Sequence, residues 1–299
     1  MPKLSICRGV PLGYTIIDLG RAFEINIDTG IHVCYNNRRN MLLCRGKTVK
    51  ILGSDYDGTL TFGGIGEEKI SAIQKWREAG NKFGIVSGRD ISFRKMLLEM
   101  NFGLKIDFFA SCNGGLITDG EGNKISESRS EGVDIRALLG DLFAFGCGFA
   151  RVCAQTNTVV AENLQSVPEW LLTEDMRSLC NLPKIEYFNQ ISVMLPTPEA
   201  SMDVTSRIAQ KYGESLNPLR NGKWIDIVPA SVNKAEGLRR VAEHFGCSYD
   251  CIIAVGDSTN DTDMIREFYS YAMANGVDEI KALANGIVSD VTEIIEKEI

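Results

Sequence analysis

The feature that most constrains the fold is a short apolar stretch that ends in two aspartates. Residues 49–52 predict a buried strand, which a glycine and a serine break directly before Asp55 and Asp57. Buried strands of α/β sheets release their loops at the carboxyl edge, where such folds bind ligands, so we expect both carboxylates to face a crevice. Gly58 permits a sharp turn there, and Thr59 adds a hydroxyl. The same residues would also suit an ordinary acidic turn.

The segment that follows alternates strands with helices. Apolar residues at helical spacing within residues 66–80 predict a helix, and residues 82–86 predict a second strand that opens into the small polar loop Ser87-Gly88-Arg89. After another helical pattern, residues 107–112 predict a third strand, which ends at Asn113. The order of strand, helix, strand, helix and strand favours a parallel sheet with right-handed crossovers.

The pattern changes between residues 116 and 228 and then returns. Strands and helices are segregated in this middle region, which suggests an inserted α+β module. The alternation resumes with a helix that Asn233 caps and that begins at Lys234. A strongly apolar strand over residues 251–255 then leads into Gly-Asp-Ser-Thr-Asn-Asp, residues 256–261.

We therefore predict an α/β fold with a Rossmann-like parallel-sheet core and an inserted α+β cap domain. The core takes residues 48–115 and 229–299, and the cap takes residues 116–228. Residues 1–47 form an N-terminal extension whose role is open. Within it, residues 22–35 predict a β-hairpin.

Composition narrows the class of protein. The net charge of −7 over 299 residues argues against a general nucleic-acid binder and against binding to an anionic membrane. The nine cysteines form no Cys-x-x-Cys pair, and only two histidines exist to join them, so a zinc site is not expected. Scattered cysteines in apolar segments fit reduced thiols, and no segment reaches the ~18 apolar residues of a membrane span. These features predict a cytoplasmic protein.

The polar clusters at the strand ends point to a metal. If the strands are neighbours, Asp55 and Asp57 meet Asp257 and Asp261 in one crevice. Four carboxylates gathered there would repel one another unless a cation were present. The simplest such cation is Mg²⁺, which takes a few carboxylates and keeps waters and phosphate oxygens as its other ligands.

The remaining clusters point to phosphate. Lys234, at the start of a helix, places a cation beside free backbone N–H groups, and Ser87 and Asn260 can donate further hydrogen bonds. With phosphate held there, one aspartate can attack phosphorus and another can protonate the departing oxygen, which splits a slow hydrolysis into two steps through an aspartyl-phosphate.

These residues match a known family. Asp55 to Leu60, Ser87, Lys234 and Gly256 to Asp261 resemble the four motifs of the haloacid dehalogenase superfamily, and the chain is most similar to its Cof-type sugar-phosphate phosphatase branch over residues 48–285. Three departures stand out: the first 47 residues have no counterpart in that branch, Ala235 replaces a usual glycine, and the C-terminus after Gly286 is abbreviated.

The resemblance implies a role for each matching residue. Asp55 would be the nucleophile and a Mg²⁺ ligand, and Asp57 the general acid/base and a ligand through its backbone carbonyl. Asp257 would be a further ligand, and Asp261 would support the metal directly or through another ligand. Lys234 would act in catalysis, and the residues implied in binding phosphate or substrate are Thr59, Ser87, Gly88, Arg89, Asn113 and Asn260, with Lys234 also holding phosphate.

The leading hypothesis is therefore a Mg²⁺-dependent phosphatase that acts on a small phosphorylated metabolite, such as a sugar phosphate. We expect no nucleic-acid or membrane partner and a monomer or small homo-oligomer. Two alternatives remain open: a phosphomutase, which uses the same aspartyl-phosphate, and a phospho-accepting switch or silent binding protein. Trp76, Trp170 and Trp224 are expected to be packing residues rather than ligand platforms, and Trp224 is the best candidate among them for a cap contact.

Overall fold

The structure is a computed structural model that describes residues 14–18, 23–27, 31–35, 41–45, 49–100, 103–154, 156–172 and 174–299. It has two compact units, which divide between Val49 and Lys50. The N-terminal unit is a sheet of four antiparallel strands in chain order, β1 (Tyr14–Asp18), β2 (Phe23–Ile27), β3 (Ile31–Tyr35) and β4 (Met41–Arg45). The hairpin predicted within residues 22–35 is confirmed, because β2 pairs with β3.

The larger unit contains a core in which strands alternate with helices. Its first part comprises β5 (Ile51–Ser54), α1 (Glu67–Glu78), β6 (Lys82–Val86), α2 (Ser92–Met100), β7 (Phe108–Ser111), β8 (Leu116–Asp119) and β9 (Lys124–Glu127). Between the two parts of the core lie α3 (Ile135–Ala144), β10 (Phe149–Cys153), β11 (Asn157–Ala161), β12 (Asp175–Arg177), β13 (Gln190–Met194), α4 (Pro198–Tyr212), β14 (Leu216–Asn221) and β15 (Trp224–Pro229). The second part comprises α5 (Lys234–Phe245), β16 (Ile252–Gly256), α6 (Thr262–Glu267), β17 (Tyr269–Met273), α7 (Asp278–Leu283), β18 (Gly286–Val288) and α8 (Val291–Glu298).

The core sheet has eight strands in the order β18-β17-β16-β5-β6-β7-β8-β9. The strands from β18 to β7 are parallel, and helices cover both faces, as an all-parallel arrangement requires. On one face Leu52 of β5 belongs to the same apolar cluster as Trp76 of α1, whereas on the other face Ile51 clusters with Leu238 of α5. The predicted α/β class is confirmed. No helix of the described segments is long and apolar enough to cross a bilayer.

The position of β8 and β9 corrects one predicted boundary. The sequence analysis places residues from 116 onward in the cap, but β8 pairs antiparallel with β7, and β9 with β8, so both extend the core sheet. A tight turn over residues 112–115 folds β8 back onto its neighbour. Residues 118–123 contain the Asp and Gly residues typical of a hairpin turn, but such a turn does not specify which sheet the hairpin joins. The inserted module therefore begins after Glu127.

The inserted module is a six-stranded sheet with two helices. Its strand order is β12-β11-β10-β13-β15-β14. Alternate residues on the central strands are apolar, and side chains such as Val152, Ile191 and Ile225 share one apolar cluster with residues of α3 and α4. Because successive side chains of a strand point to opposite faces, the polar residues between them face away from the helices. This second face supplies one wall of the site described next.

Candidate active site

Two neighbouring strands bring the first carboxylates together. Strands β5 and β16 are parallel and adjacent, with Ser54 beside Val255, and the backbone N–H of Asp55 donates to the Val255 carbonyl at 2.9 Å. The next residues along both strands therefore lie at one carboxyl edge of the sheet. Gly58 turns the chain with φ +78°, and a Cβ added there would lie 2.5 Å from the Asp257 carboxylate. Glycine thus permits both the turn and the close approach of Asp257.

A buried lysine joins two of these carboxylates. Lys234, the first residue of α5, is fully buried, and its Nζ donates to Asp55 Oδ1 at 2.6 Å and to Asp261 Oδ1 at 2.5 Å. Asn233 caps the helix by accepting from the Glu236 backbone N–H at 2.8 Å, so the cap predicted from sequence is confirmed. Lys234 lies behind the two carboxylates and is not among the residues that line the cavity.

Negative charge dominates this cluster. Burial raises the pKa of Asp55 well above its usual range, and Asp261 and Asp257 raise it further, although Lys234 lowers it. Burial also raises the pKa of Asp257. Burial opposes the charge of Lys234, but the Asp261 and Asp55 carboxylates raise its pKa above the usual value. Around Lys234, three carboxylates thus share one ammonium, and a second cation would relieve their repulsion.

The donor set fits a divalent cation that prefers oxygen. Carboxylate oxygens of Asp55, Asp257 and Asp261 lie within 4.8 Å of one another. Asp261 is also held in place, because its Oδ2 accepts from the backbone N–H groups of Asp257 and Ser258, each at 3.0 Å. Hard carboxylate ligands and excess negative charge match Mg²⁺, so the residues present fit the metal that the sequence analysis predicts.

Thr59 and Asp57 make contacts that the sequence analysis did not specify. Thr59 is fully buried, and its hydroxyl donates to Asp257 Oδ1 at 2.7 Å, so it orients a carboxylate and does not line the cavity. The Asp57 side chain lies outside the carboxylate cluster, and both its oxygens accept from Arg89 at 2.7 Å. The Arg89 guanidinium also stacks on the ring of Phe93, 4.1 Å from its centroid.

The other predicted residues surround a cavity above the cluster. Ser87 and Asn260 line this cavity, and the Oδ1 atom of Asn260 is buried without a partner among the described residues. Gly88 also lines it, and a Cβ added there would lie 2.7 Å from Asp226 Oδ2. Asn113 instead lies against the cap, where its Nδ2 donates to Asp226 and to Gln190.

The cavity has a volume of about 740 Å³ and lies between core and cap. It is lined by Asp55, Asp57, Ser87, Gly88, Arg89, Asp90, Ser92, Phe93, Met96, Arg151, Trp170, Glu174, Gln190, Ser192, Asn221, Trp224, Asp226 and Asn260. Trp224 is among them, as expected. The sequence analysis missed the polar cap residues of β10, β13 and β15, and the available signal was their alternation with apolar residues on those strands.

Arg151 links the cap to the core. Its Nη1 donates to Asp90, which lies in the loop after β6, and its Nε and Nη2 donate to Glu174 at 2.9 and 2.7 Å. Burial opposes the ionisation of Asp90, but Arg151 lowers the pKa of that carboxyl below its usual value. Gln190 adds a second link by donating to the Gly88 carbonyl at 2.7 Å.

The fold and the site together define an α/β protein with an inserted cap and a buried acidic cluster at the carboxyl edge of its sheet. The profile of the haloacid dehalogenase-like hydrolases matches residues 52–294. The chain belongs to this family, and the resemblance inferred from the motifs is confirmed. The expectation of a phosphoric monoester hydrolase is likewise confirmed at the level of enzyme class.

Individual proteins agree with this assignment. A Streptococcus pyogenes serotype M6 protein with a provisional phosphatase name is 24% identical over 260 residues, which cover 80% of this chain and 93% of that protein. The Bacillus subtilis protein named 5-amino-6-(5-phospho-D-ribitylamino)uracil phosphatase YitU is 41% identical over 100 residues, 31% of this chain and 37% of its own length. The solved structure of a subclass IIB sugar phosphatase shares the fold, with a TM-score of 0.68 at 21% identity over 83% of this chain and 98% of that chain.

Alanine at position 58 tests the packing of the turn against Asp257. Gly58→Ala and its control, Gly63→Ala, both place a side chain at positive φ, which costs about 1–2 kcal/mol of stability. The two differ in their surroundings, because no described atom lies within 4 Å of a Cβ at Gly63. We expect only Gly58→Ala to weaken Mg²⁺ binding measured by calorimetry, by about 10-fold or more, because it displaces a ligand. Equal Mg²⁺ affinities of the two variants would contradict the role of Gly58 in positioning Asp257.

Removal of Lys234 tests the charge balance of the cluster. Lys234→Met leaves two carboxylates without their ammonium and is expected to cost about 3–5 kcal/mol of stability. Lys69→Met is the control, because Lys69 is also buried but pairs with Asp290 and with the Leu60 and Phe62 carbonyls instead of a carboxylate of the cluster. In thermal unfolding, added Mg²⁺ should raise the melting temperature of Lys234→Met more than that of Lys69→Met or the wild type. The same Mg²⁺ response in all three proteins would refute the account.

Proposed function

We propose that this protein is a Mg²⁺-dependent phosphatase that hydrolyses a small phosphomonoester through an aspartyl-phosphate on Asp55. The observation that carries the proposal is the cluster of Asp55, Asp257 and Asp261 around the buried ammonium of Lys234, at the base of a cavity closed by the cap. A carboxylate fixed in this way is a suitable nucleophile, and the cavity has room for a metabolite.

The first step transfers the phosphoryl group to the protein. Ser87 and Asn260, which line the cavity near Asp55, orient the phosphate. A carboxylate oxygen of Asp55 forms a bond to phosphorus while the bond from phosphorus to the leaving oxygen breaks. That oxygen takes a proton from the carboxyl group of Asp57. Lys234 holds Asp55 in position and opposes the negative charge that spreads over the transferring group.

The second step returns the protein to its starting state. Asp57 accepts a proton from a water molecule, whose oxygen attacks phosphorus, and the bond from phosphorus to Asp55 breaks to release inorganic phosphate. Arg89 orients the Asp57 carboxylate through two hydrogen bonds. Asp55, Asp257 and the backbone carbonyl of Asp57, with support from Asp261, would hold Mg²⁺, which would supply positive charge to neutralise the phosphate oxygens.

The proposal also covers the substrate, the cellular compartment and the oligomeric state of the enzyme. Its substrate is a small phosphorylated metabolite, in line with the names of its relatives, which include a phosphatase of a ribitylamino-uracil phosphate and a sugar phosphatase. We place the protein in the cytoplasm as a monomer or small homo-oligomer without a nucleic-acid or membrane partner. The free thiols of Cys112, Cys147 and Cys153, all buried, suit a reducing compartment. We keep residues 1–47 as an extension of unassigned role.

The direct test is release of inorganic phosphate from a panel of phosphorylated metabolites that includes both of those substrate classes, with Mg²⁺ and with a chelator. We expect metal-dependent release that Asp55→Asn reduces by about 1,000-fold or more, because it removes the nucleophile. Asp203→Asn is the matched control, since Asp203 is an exposed residue of α4 paired with Arg207.

Two outcomes would contradict the proposal. Turnover that survives Asp55→Asn would exclude the aspartyl-phosphate on Asp55. Isomerisation of a sugar phosphate that depends on a bisphosphate activator, with no phosphate release, would indicate the mutase.

A further inference from the structure

Four polar side chains form a closed hydrogen-bonded ring at the cap wall of the cavity. Gln190 Nε2 donates to the Gly88 carbonyl and, at 2.9 Å, to Ser192 Oγ, and that hydroxyl donates to Asp226 Oδ1 at 2.7 Å. Asn113 closes the ring from the core side, because its Nδ2 donates to Asp226 Oδ2 at 2.9 Å and to Gln190 Oε1 at 3.0 Å. Gln190, Ser192 and Asp226 all line the cavity.

The directions of these hydrogen bonds are fixed by chemistry. Gln190 must present its amide nitrogen to the Gly88 carbonyl, which can only accept, and so it presents Oε1 to Asn113. Asn113 then faces two acceptors and must point its nitrogen toward them. Every side-chain N–H and O–H of the four residues is thereby used within the ring or on the Gly88 carbonyl. The remaining capacity is for acceptance: lone pairs on the Asp226 carboxylate and the Oδ1 atom of Asn113, which is buried without a partner among the described residues.

The charged side chains in this half of the cavity also favour a ligand group that donates a hydrogen bond. Arg151 is already paired with Asp90 and Glu174, and Arg89 is paired with Asp57. Among the described residues that line the cavity, neither arginine is left without a carboxylate partner. Burial raises the pKa of Asp226 to about 6, as expected for a carboxylate that its neighbours solvate incompletely. A ligand group placed here therefore meets acceptors and negative charge.

We propose that Asp226 is a specificity-determining residue that accepts a hydrogen bond from the leaving group of the substrate. The substrate is then a phosphomonoester whose leaving group presents an amino or hydroxyl donor toward the cap and carries no second anionic group. A carboxylate or second phosphate at this position would face Asp226 with no donor between them, and such juxtaposition of like charges is costly. This inference rests on the proposed function.

The test compares three open-chain phosphohexose derivatives that differ only at C1: 1-amino-1-deoxyglucitol 6-phosphate, glucitol 6-phosphate and 6-phosphogluconate. With wild-type protein and Mg²⁺, we expect kcat/KM for the amino and hydroxyl derivatives to exceed that for the carboxylate derivative by about 100-fold. Asp226→Asn should reduce this ratio by about 10-fold or more, since it removes the negative charge and adds a donor. Asp141→Asn, the same change on cap helix α3 and outside the cavity, should leave the ratio unchanged.

The outcomes separate this inference from the function on which it rests. Preferred hydrolysis of 6-phosphogluconate, or an unchanged ratio of kcat/KM values in Asp226→Asn, would overturn the specificity role. The proposed phosphatase activity would still hold. If Asp226→Asn does not fold, a wild-type preference for the carboxylate derivative still overturns the specificity role. If none of the three compounds is hydrolysed, the metabolite panel still decides the proposed function, and calorimetry of the same three compounds with wild-type protein tests the inference, which tighter binding of 6-phosphogluconate would refute.

Discussion

The structure of the site depends on one buried ammonium group. Lys234 draws Asp55 and Asp261 together, and through them it ties the first turn of α5 to the carboxyl ends of β5 and β16. Burial of these charges is tolerable only because they are paired. The pairing is incomplete, however, because three carboxylates gather around a single ammonium. That imbalance favours a further cation, and we propose that this cation is Mg²⁺ and that it helps to hold a phosphate.

The cap contributes chemistry of a different kind. Its strands expose polar side chains at alternate positions, and these accept hydrogen bonds at the wall of the cavity or pair with charges of the core. We therefore propose that the core half of the cavity binds phosphate and that the cap half discriminates among leaving groups. Contacts such as the ion pair between Arg151 and Asp90 join the cap to the core beside the cavity.

Much of the fold and of the candidate site could be predicted from sequence. Physical reasons explain both these predictions and the residues that the sequence analysis missed. Asp55, Ser87 and Asp257 follow apolar strands, and parallel strands deliver their loops to one edge, so their convergence was predictable. The direction of the Thr59 hydroxyl was not, because a tertiary contact with Asp257 determines it. The role of Asp226 was equally hidden, since alternation identifies two faces of a strand but not which face the helices cover.

The central claim is that Asp55 carries the phosphoryl group during turnover. The most direct measurement is rapid acid quenching of the wild-type protein with Mg²⁺ and a phosphomonoester that it hydrolyses, followed by peptide mass analysis after borohydride reduction of the acyl phosphate. The account predicts that the reduced residue is found at position 55 and that Asp55→Asn shows none. A phosphoryl group on another residue, or turnover without any trapped acyl phosphate, would contradict it.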